Sequence, residues 1–136
     1  MAWSKKKTYY NGRAYEEDAV QVGIAGWLRT QGYLFTAIPA GLISSVGTQR
    51  RSNRLGYVKG APDIVVWIPG GTVSIECKRP EKRVLNLKTG NMVISSRAGV
   101  QSEDQKNWQE KVTHVPGHFY LVAKDVYDVI KFFEYV

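Results

Sequence analysis

Apolar positions repeat along this chain of 136 residues with two different periods, and the changes of period mark its elements. From Ala14 to about Thr30, Val20, Ile24, Trp27 and Leu28 recur three and four residues apart. That spacing predicts an amphipathic helix with Glu16, Glu17 and Asp18 in its first turn, ended by Gln31-Gly32. Tyr33 to Ile38 reads as a strand. Ile64 to Ile68 (IVVWI) and Thr72 to Cys77 (TVSIEC) are β-branched runs separated by Pro69-Gly70-Gly71, the pattern of two strands joined by a tight turn. Ser102 to about Val112 is expected as the next helix and His118 to Ala123 as a further strand. A last helix from about Lys124 sets Val126, Val129, Ile130 and Phe133 on one face, with Phe132 and Tyr135 pointing elsewhere.

Three segments fall outside this pattern. Residues 1–13 form a basic N-terminal tail, expected to lie on the surface or fray. Residues 39–59 read as a long Gly/Ser-rich loop that carries Arg50, Arg51, Arg54 and Lys59 and no acidic residue; loops of that length are usually functional or disordered. Residues 80–99 look like an inserted β-hairpin. With its turn at Thr89-Gly90, Leu85 faces Ile94 and Leu87 faces Met92, giving one apolar face. Such a two-stranded arm is marginal alone and should pack on something.

The hairpin of the two β-branched runs carries the candidate chemistry. Centring its turn between Pro69 and Gly70 places Asp63 opposite Glu76. Alternation then puts Asp63, Glu76 and Lys78 on one face and Ile64, Val66, Val73, Ile75 and Cys77 on the other. Opposed positions lie about 4.5–5.5 Å apart at Cβ, where like charges repel, so a cation is expected between the carboxylates. A divalent metal on oxygen ligands meets that need, with Lys78 beside it to hold or deprotonate a water. Gly60 permits close backbone approach, and Pro62 suits the first position of a strand.

Composition narrows the partner. The 43% hydrophobic content suits one domain over residues 1–136, large enough for a core without staples. Nineteen basic against 12 acidic residues give a net charge of +7 and a pI near 9.6, which favours a polyanion. Nucleic acid fits better than a membrane, because no apolar run approaches the roughly 20 residues a spanning helix needs. The cluster Lys5-Lys6-Lys7 is followed by no apolar stretch, so a cytoplasmic protein is expected. The single Cys77 rules out an internal disulfide and a multi-cysteine zinc site; its alternate position points it into the core.

Pro62-Asp63 followed by Glu76-x-Lys78 resembles the PD-(D/E)xK nuclease motif, and the wider pattern is similar to its VRR-NUC branch. The residues that carry the likeness are Glu17-Asp18-Ala19-Val20-Gln21, Gly60-Ala61-Pro62-Asp63, Glu76-Cys77-Lys78 and Ser102-Glu103-Asp104-Gln105, in order from about Tyr15 onward. The resemblance implies a restriction-endonuclease-like α/β fold: an αβββαβ core with a mixed central sheet flanked by helices, here with the hairpin insertion. It implies a Mg²⁺-dependent endodeoxyribonuclease, with Mn²⁺ as substitute. Asp63 and Glu76 are then the main metal ligands, joined by the backbone carbonyl of Cys77, and Glu17 is a further ligand or positions the attacking water. Lys78 orients that water or stabilises negative charge on the phosphate. Gln105 either faces the site beside Lys78 or, with Ser102, closes a helix capping box. One metal or two is left open.

Arg50, Arg51, Arg54 and Lys59 lead into the motif strand and are expected to bind phosphate. Tyr57 either stacks on a base or packs. His114 and His118 lie away from the acidic face and read as structural, and Trp27 and Trp108 as packing residues. Small stand-alone members of the family resemble Holliday-junction resolvases, so branched DNA and a symmetric homodimer are expected. The rivals are a nickase or restriction-type endonuclease with sequence preference and, from another class, a non-catalytic junction scaffold. The chain departs from the family's compact pattern in the long interval between Lys78 and Gln105, where the arm would be a dimer contact or a clamp on DNA.

Overall fold

The first helix begins before its apolar stripe does. In a computed structural model, which describes residues 12–39 and 46–136 (only the backbone of 12–15, 46–49 and 52), α1 spans Gly12–Gln31. Glu16, Glu17 and Asp18 therefore stand past its first turn, and the expectation that they complement the helix N-terminus loses its ground. Most of the expected N-terminal tail, residues 1–11, lies outside the described residues.

After α1 come β1 (Leu34–Ala37), α2 (Val46–Leu55), β2 (Ile64–Ile68), β3 (Gly71–Cys77), β4 (Lys82–Leu85), β5 (Met92–Ser96), α3 (Glu103–Thr113), β6 (His118–Ala123) and α4 (Val126–Phe133). Strands β1, β2, β3 and β6 form one sheet in the order β1-β2-β3-β6. β1 runs antiparallel to β2, and β2 to β3. The Thr72 amide bonds the Gly117 carbonyl (3.0 Å) and the Lys78 amide that of Ala123 (2.9 Å), so β6 runs parallel to β3. The central sheet is therefore mixed and flanked by helices, the α/β class expected from the sequence.

Helix α2 corrects one expectation. The segment read as a loop contains ten helical residues, Val46–Leu55. Its sequence VGTQRRSNRL has apolar residues only at its ends, so no 3.6-residue stripe announces it. Glutamine and arginine are nevertheless good helix formers. Residues 40–45 of the expected loop lie outside the described residues.

The inserted arm exists as β4 paired with β5, but in another register. Leu85 faces Met92, Val84 faces Val93, and Arg83 faces Ile94, with an irregularity between Lys82 and Arg83. The reason is local: the Asn86 side-chain oxygen accepts from the Lys88 amide (2.9 Å), and Asn86 and Gly90 close the turn on each other (2.8 Å). Leu87 is thereby drawn into the turn, 90% exposed, while Leu85, Met92 and Ile94 keep a common face.

The chain divides into two compact units: residues 12–25, 77–100 and 123–136, and residues 26–39, 46–76 and 101–122. In the first, Ile24, Cys77, Ala123 and Val129 are buried; in the second, Leu28, Pro62, Ile64, Val66, Val73 and Ile75 are. Each such leucine, isoleucine or valine contributes about 1.5–3 kcal/mol by leaving water. Phe132 is half-buried and packs edge-on against Phe133, with ring centroids 5.9 Å apart, whereas Tyr135 is exposed. No helix among the described residues is long and apolar enough to cross a membrane.

Candidate active site

Strands β2 and β3 pair from Ile64 opposite Ile75 to Ile68 opposite Gly71, the register that a turn at Pro69-Gly70 predicts. Ile64, Val66, Val73, Ile75 and Cys77 are all buried, as one apolar face requires. The rung beyond Ile64 differs from the expectation. The Asp63 amide donates to the Ile75 carbonyl (3.1 Å) instead of facing Glu76, and its own carbonyl accepts from the Ile38 amide (2.9 Å). Pro62 has no N–H with which to extend the ladder, so regular pairing stops there. Asp63 is left half-buried on a bend, its backbone held from two sides.

The polar face of β3 is not a solvent face. Ser74, Glu76 and Lys78 are 3%, 2% and 7% exposed. A buried carboxylate costs several kcal/mol unless partners compensate it. Gln105 of α3 supplies one, its Nε2 donating to Glu76 Oε1 at 2.7 Å. The same side chain completes the capping box: its Oε1 accepts from the Ser102 amide (2.8 Å), and the Gln105 amide donates to Ser102 Oγ (3.2 Å). One end of this amide closes the capping box and the other reaches Glu76.

Gly60 seats this helix. Its φ is +88°, and a Cβ there would lie 2.4 Å from the backbone carbon and oxygen of Asp104, the residue before Gln105. Gly60→Ala meets both a left-handed backbone, costing about 1–3 kcal/mol, and an overlap that neither backbone can relieve without moving. We expect a lower melting temperature and a loss of the Gln105–Glu76 contact, visible as a shifted Gln105 side-chain amide resonance. Unchanged melting and an unmoved resonance would mean that the close approach is not needed.

In the other unit, Glu17 and Lys78 share a neighbour. A Cβ on buried Gly99 would lie 3.3 Å from Glu17 Oε1 and 3.4 Å from Lys78 Cδ, so both side chains pass close to this glycine. The Gly99 amide bonds the Arg79 carbonyl (3.0 Å), closing the base of the arm over Lys78. Glu16 pairs with Lys82 of β4.

Helix α2 brings Arg50, Arg51 and Arg54 to one side, three and four residues apart, all exposed. Lys59 is exposed and pairs with Asp104 at 3.5 Å, a contact worth little in water. Tyr57 is partly exposed, and Trp27 stacks obliquely on Tyr33 (6.1 Å). Trp108 lines an apolar cavity of about 620 Å³ against α3, together with Val58, Val112 and Val115; neither Asp63 nor Glu76 lines it. His118 Nδ1 lies 2.6 Å from Thr72 Oγ1, and the ring of His114 contacts the Glu110 carbonyl. Thr72 stands four residues before Glu76 on β3, about 13 Å along the strand, so His118 keeps the structural place expected of it.

Among the described residues, no group of three or more histidine, cysteine, aspartate or glutamate side chains could hold a metal ion. Asp63 and Glu76 offer the kind of oxygen donor that Mg²⁺ takes, usually through one or two carboxylates with several waters kept.

Sequence reading missed Tyr120 and Gln101. Gln101 Nε2 donates to the Tyr120 hydroxyl (3.3 Å) and to Gln109 Oε1 (3.0 Å). Burial, opposed by that hydrogen bond and reinforced by the charges of Glu76 and Asp63, pushes the Tyr120 phenol up to about 12. The four-residue spacing of Gln101, Gln105 and Gln109 was legible; the neighbour of Tyr120 on β3 was not, because it depends on a parallel pairing across 45 residues of chain.

No family model matches the sequence, and no curated protein matches it. A solved structure described as a VRR_NUC domain protein is similar with a TM-score of 0.60 at 22% identity, over 88% of this chain and 86% of that one. The fold of this chain is that of the VRR_NUC domain protein, as the residues of the two β-branched strands and of α1 and α3 implied.

Proposed function

We propose that this protein is a metal-dependent endodeoxyribonuclease of the VRR-NUC type, hydrolysing phosphodiester bonds in branched DNA. The observation that carries the reading is a buried glutamate on a central strand, Glu76, held by the Gln105 amide. It belongs to the same unit as Asp63, and Lys78 follows two residues along the chain. A strand core gains nothing from burying Glu76 and Lys78; a reaction centre does. The shared fold supports the same reading.

In this reading Asp63, Glu76 and the Cys77 carbonyl hold Mg²⁺, or Mn²⁺ in its place. When bound, the ion supplies polarisation of the phosphate and a more acidic water. Gln105 keeps Glu76 in one orientation, and the two backbone bonds of Asp63 fix the point from which the second carboxylate extends. Lys78 points its ammonium at the attacking water or the developing negative charge, with Glu17 beside its stem. Arg50, Arg51, Arg54 and Lys59 contact phosphates along the bound strand. The exposed apolar arm, Val84, Leu85, Met92, Val93 and Ile94, makes the contact of a two-fold dimer.

The test is cleavage of labelled four-way junction, flap, nicked and linear duplex DNA, with and without Mg²⁺ or Mn²⁺, beside light scattering of the same sample. Paired incisions on the junction by a dimer are expected. Equal cutting of linear duplex points to a restriction-type enzyme, single-strand cuts to a nickase, and tight binding without cleavage to a junction scaffold. A monomer that still makes paired incisions removes the dimer.

A further inference from the structure

The parallel pairing of β6 with β3 decides which of its side chains meets the acidic pair. The Thr72 amide reaches the Gly117 carbonyl, and Thr72 Oγ1 lies 2.6 Å from His118 Nδ1, so Thr72 and His118 are neighbours on one face. Two residues on, Ser74 is beside Tyr120; two more, Glu76 is beside Val122. Tyr120 is therefore one diagonal step from Glu76, on the face over which α3 lays Gln105.

The hydrogen bonds around the phenol leave one thing open. Gln101 commits one amide hydrogen to Gln109 Oε1 (3.0 Å) and the other to the Tyr120 oxygen (3.3 Å). The acceptor side of the phenol is filled, and no side chain or carbonyl among the described residues takes its proton. Resting on the nuclease reading above, we infer that Tyr120 is a further catalytic residue of this site, whose O–H donates a hydrogen bond to a non-bridging oxygen of the bound phosphodiester. The phenol transfers no proton; it meets the negative charge that grows on that oxygen as water attacks. A phenol is protonated at neutral pH, so the donor is present there. Gln101 and Gln109 are positioning residues that fix the direction of the O–H.

Tyr120→Phe keeps the ring and removes only the donor. It should lower the single-turnover cleavage rate about 10²-fold, as loss of one preorganised donor does, with little change in DNA affinity. Gln101→Leu leaves the phenol in place without its anchor and should cost less than Tyr120→Phe. Both are measured beside the unmodified protein, with thermal unfolding to show that the fold is kept. Wild-type cleavage by Tyr120→Phe overturns the assignment and leaves the nuclease reading standing. So does a Gln101→Leu defect equal to or larger than that of Tyr120→Phe, since the network would then act by placing α3. An unmodified protein inert on every DNA with Mg²⁺ and Mn²⁺ overturns both.

Discussion

Asp63→Asn should leave a folded protein that binds DNA and no longer cuts it. The isosteric amide removes the charge and leaves the backbone bonds of Asp63 to the Ile75 carbonyl and the Ile38 amide as they are. That charge is half of the acidic pair proposed to hold the metal. A loss of about 4 kcal/mol in charge stabilisation corresponds to a rate roughly a thousandfold lower. Binding should stay within a few-fold, because affinity for DNA comes mainly from lysine and arginine contacts to phosphate. Single-turnover cleavage and anisotropy titration separate the two. Normal turnover by this variant, or full activity of the native protein in EDTA, would sink the metal mechanism.

Lys78→Met carries the second large effect. The lysine is 7% exposed and its stem packs beside Gly99, so methionine replaces the buried methylenes and deletes the ammonium. We expect a loss of about 10²–10⁴-fold in the chemical step, the range for a positioned proton-transfer group. Folding and binding of Mn²⁺, followed by calorimetry, should be kept. If the variant cleaves at the native single-turnover rate, Lys78 is a structural residue and its proposed role is wrong.

Much of the candidate site was legible because its signals are local. The β2–β3 register follows from one Pro-Gly-Gly turn and two β-branched runs, and alternation then fixes which residues share a face. The Ser102-x-x-Gln105 cap is likewise contained in four residues. Legibility failed where a distant partner decided the outcome or the local signal was weak. The arm slipped in register because Asn86 starts the turn with its own side chain, three residues before Thr89 of the Thr89-Gly90 pair that looked strongest. Helix α2 has no apolar stripe in its sequence, and its Arg50, Arg51, Asn53, Arg54 and Leu55 are exposed.

By itself the sequence determined the α/β class, the order of most elements and the apolar face of the central hairpin, and it singled out Asp63, Glu76 and Lys78 as candidates for chemistry. These depend on side-chain periodicity and backbone chemistry acting over a few residues. The tertiary structure alone decided three further things. It ended the ladder at Ile64, leaving Asp63 on a bend; it buried the polar face of β3; and it brought the Gln105 amide to Glu76 and Tyr120 onto the same face. The physical reason is that these follow from what packs over and beside β3. Both α3 and β6 reach it across long intervals of chain, by contacts for which no local pattern in the sequence is required.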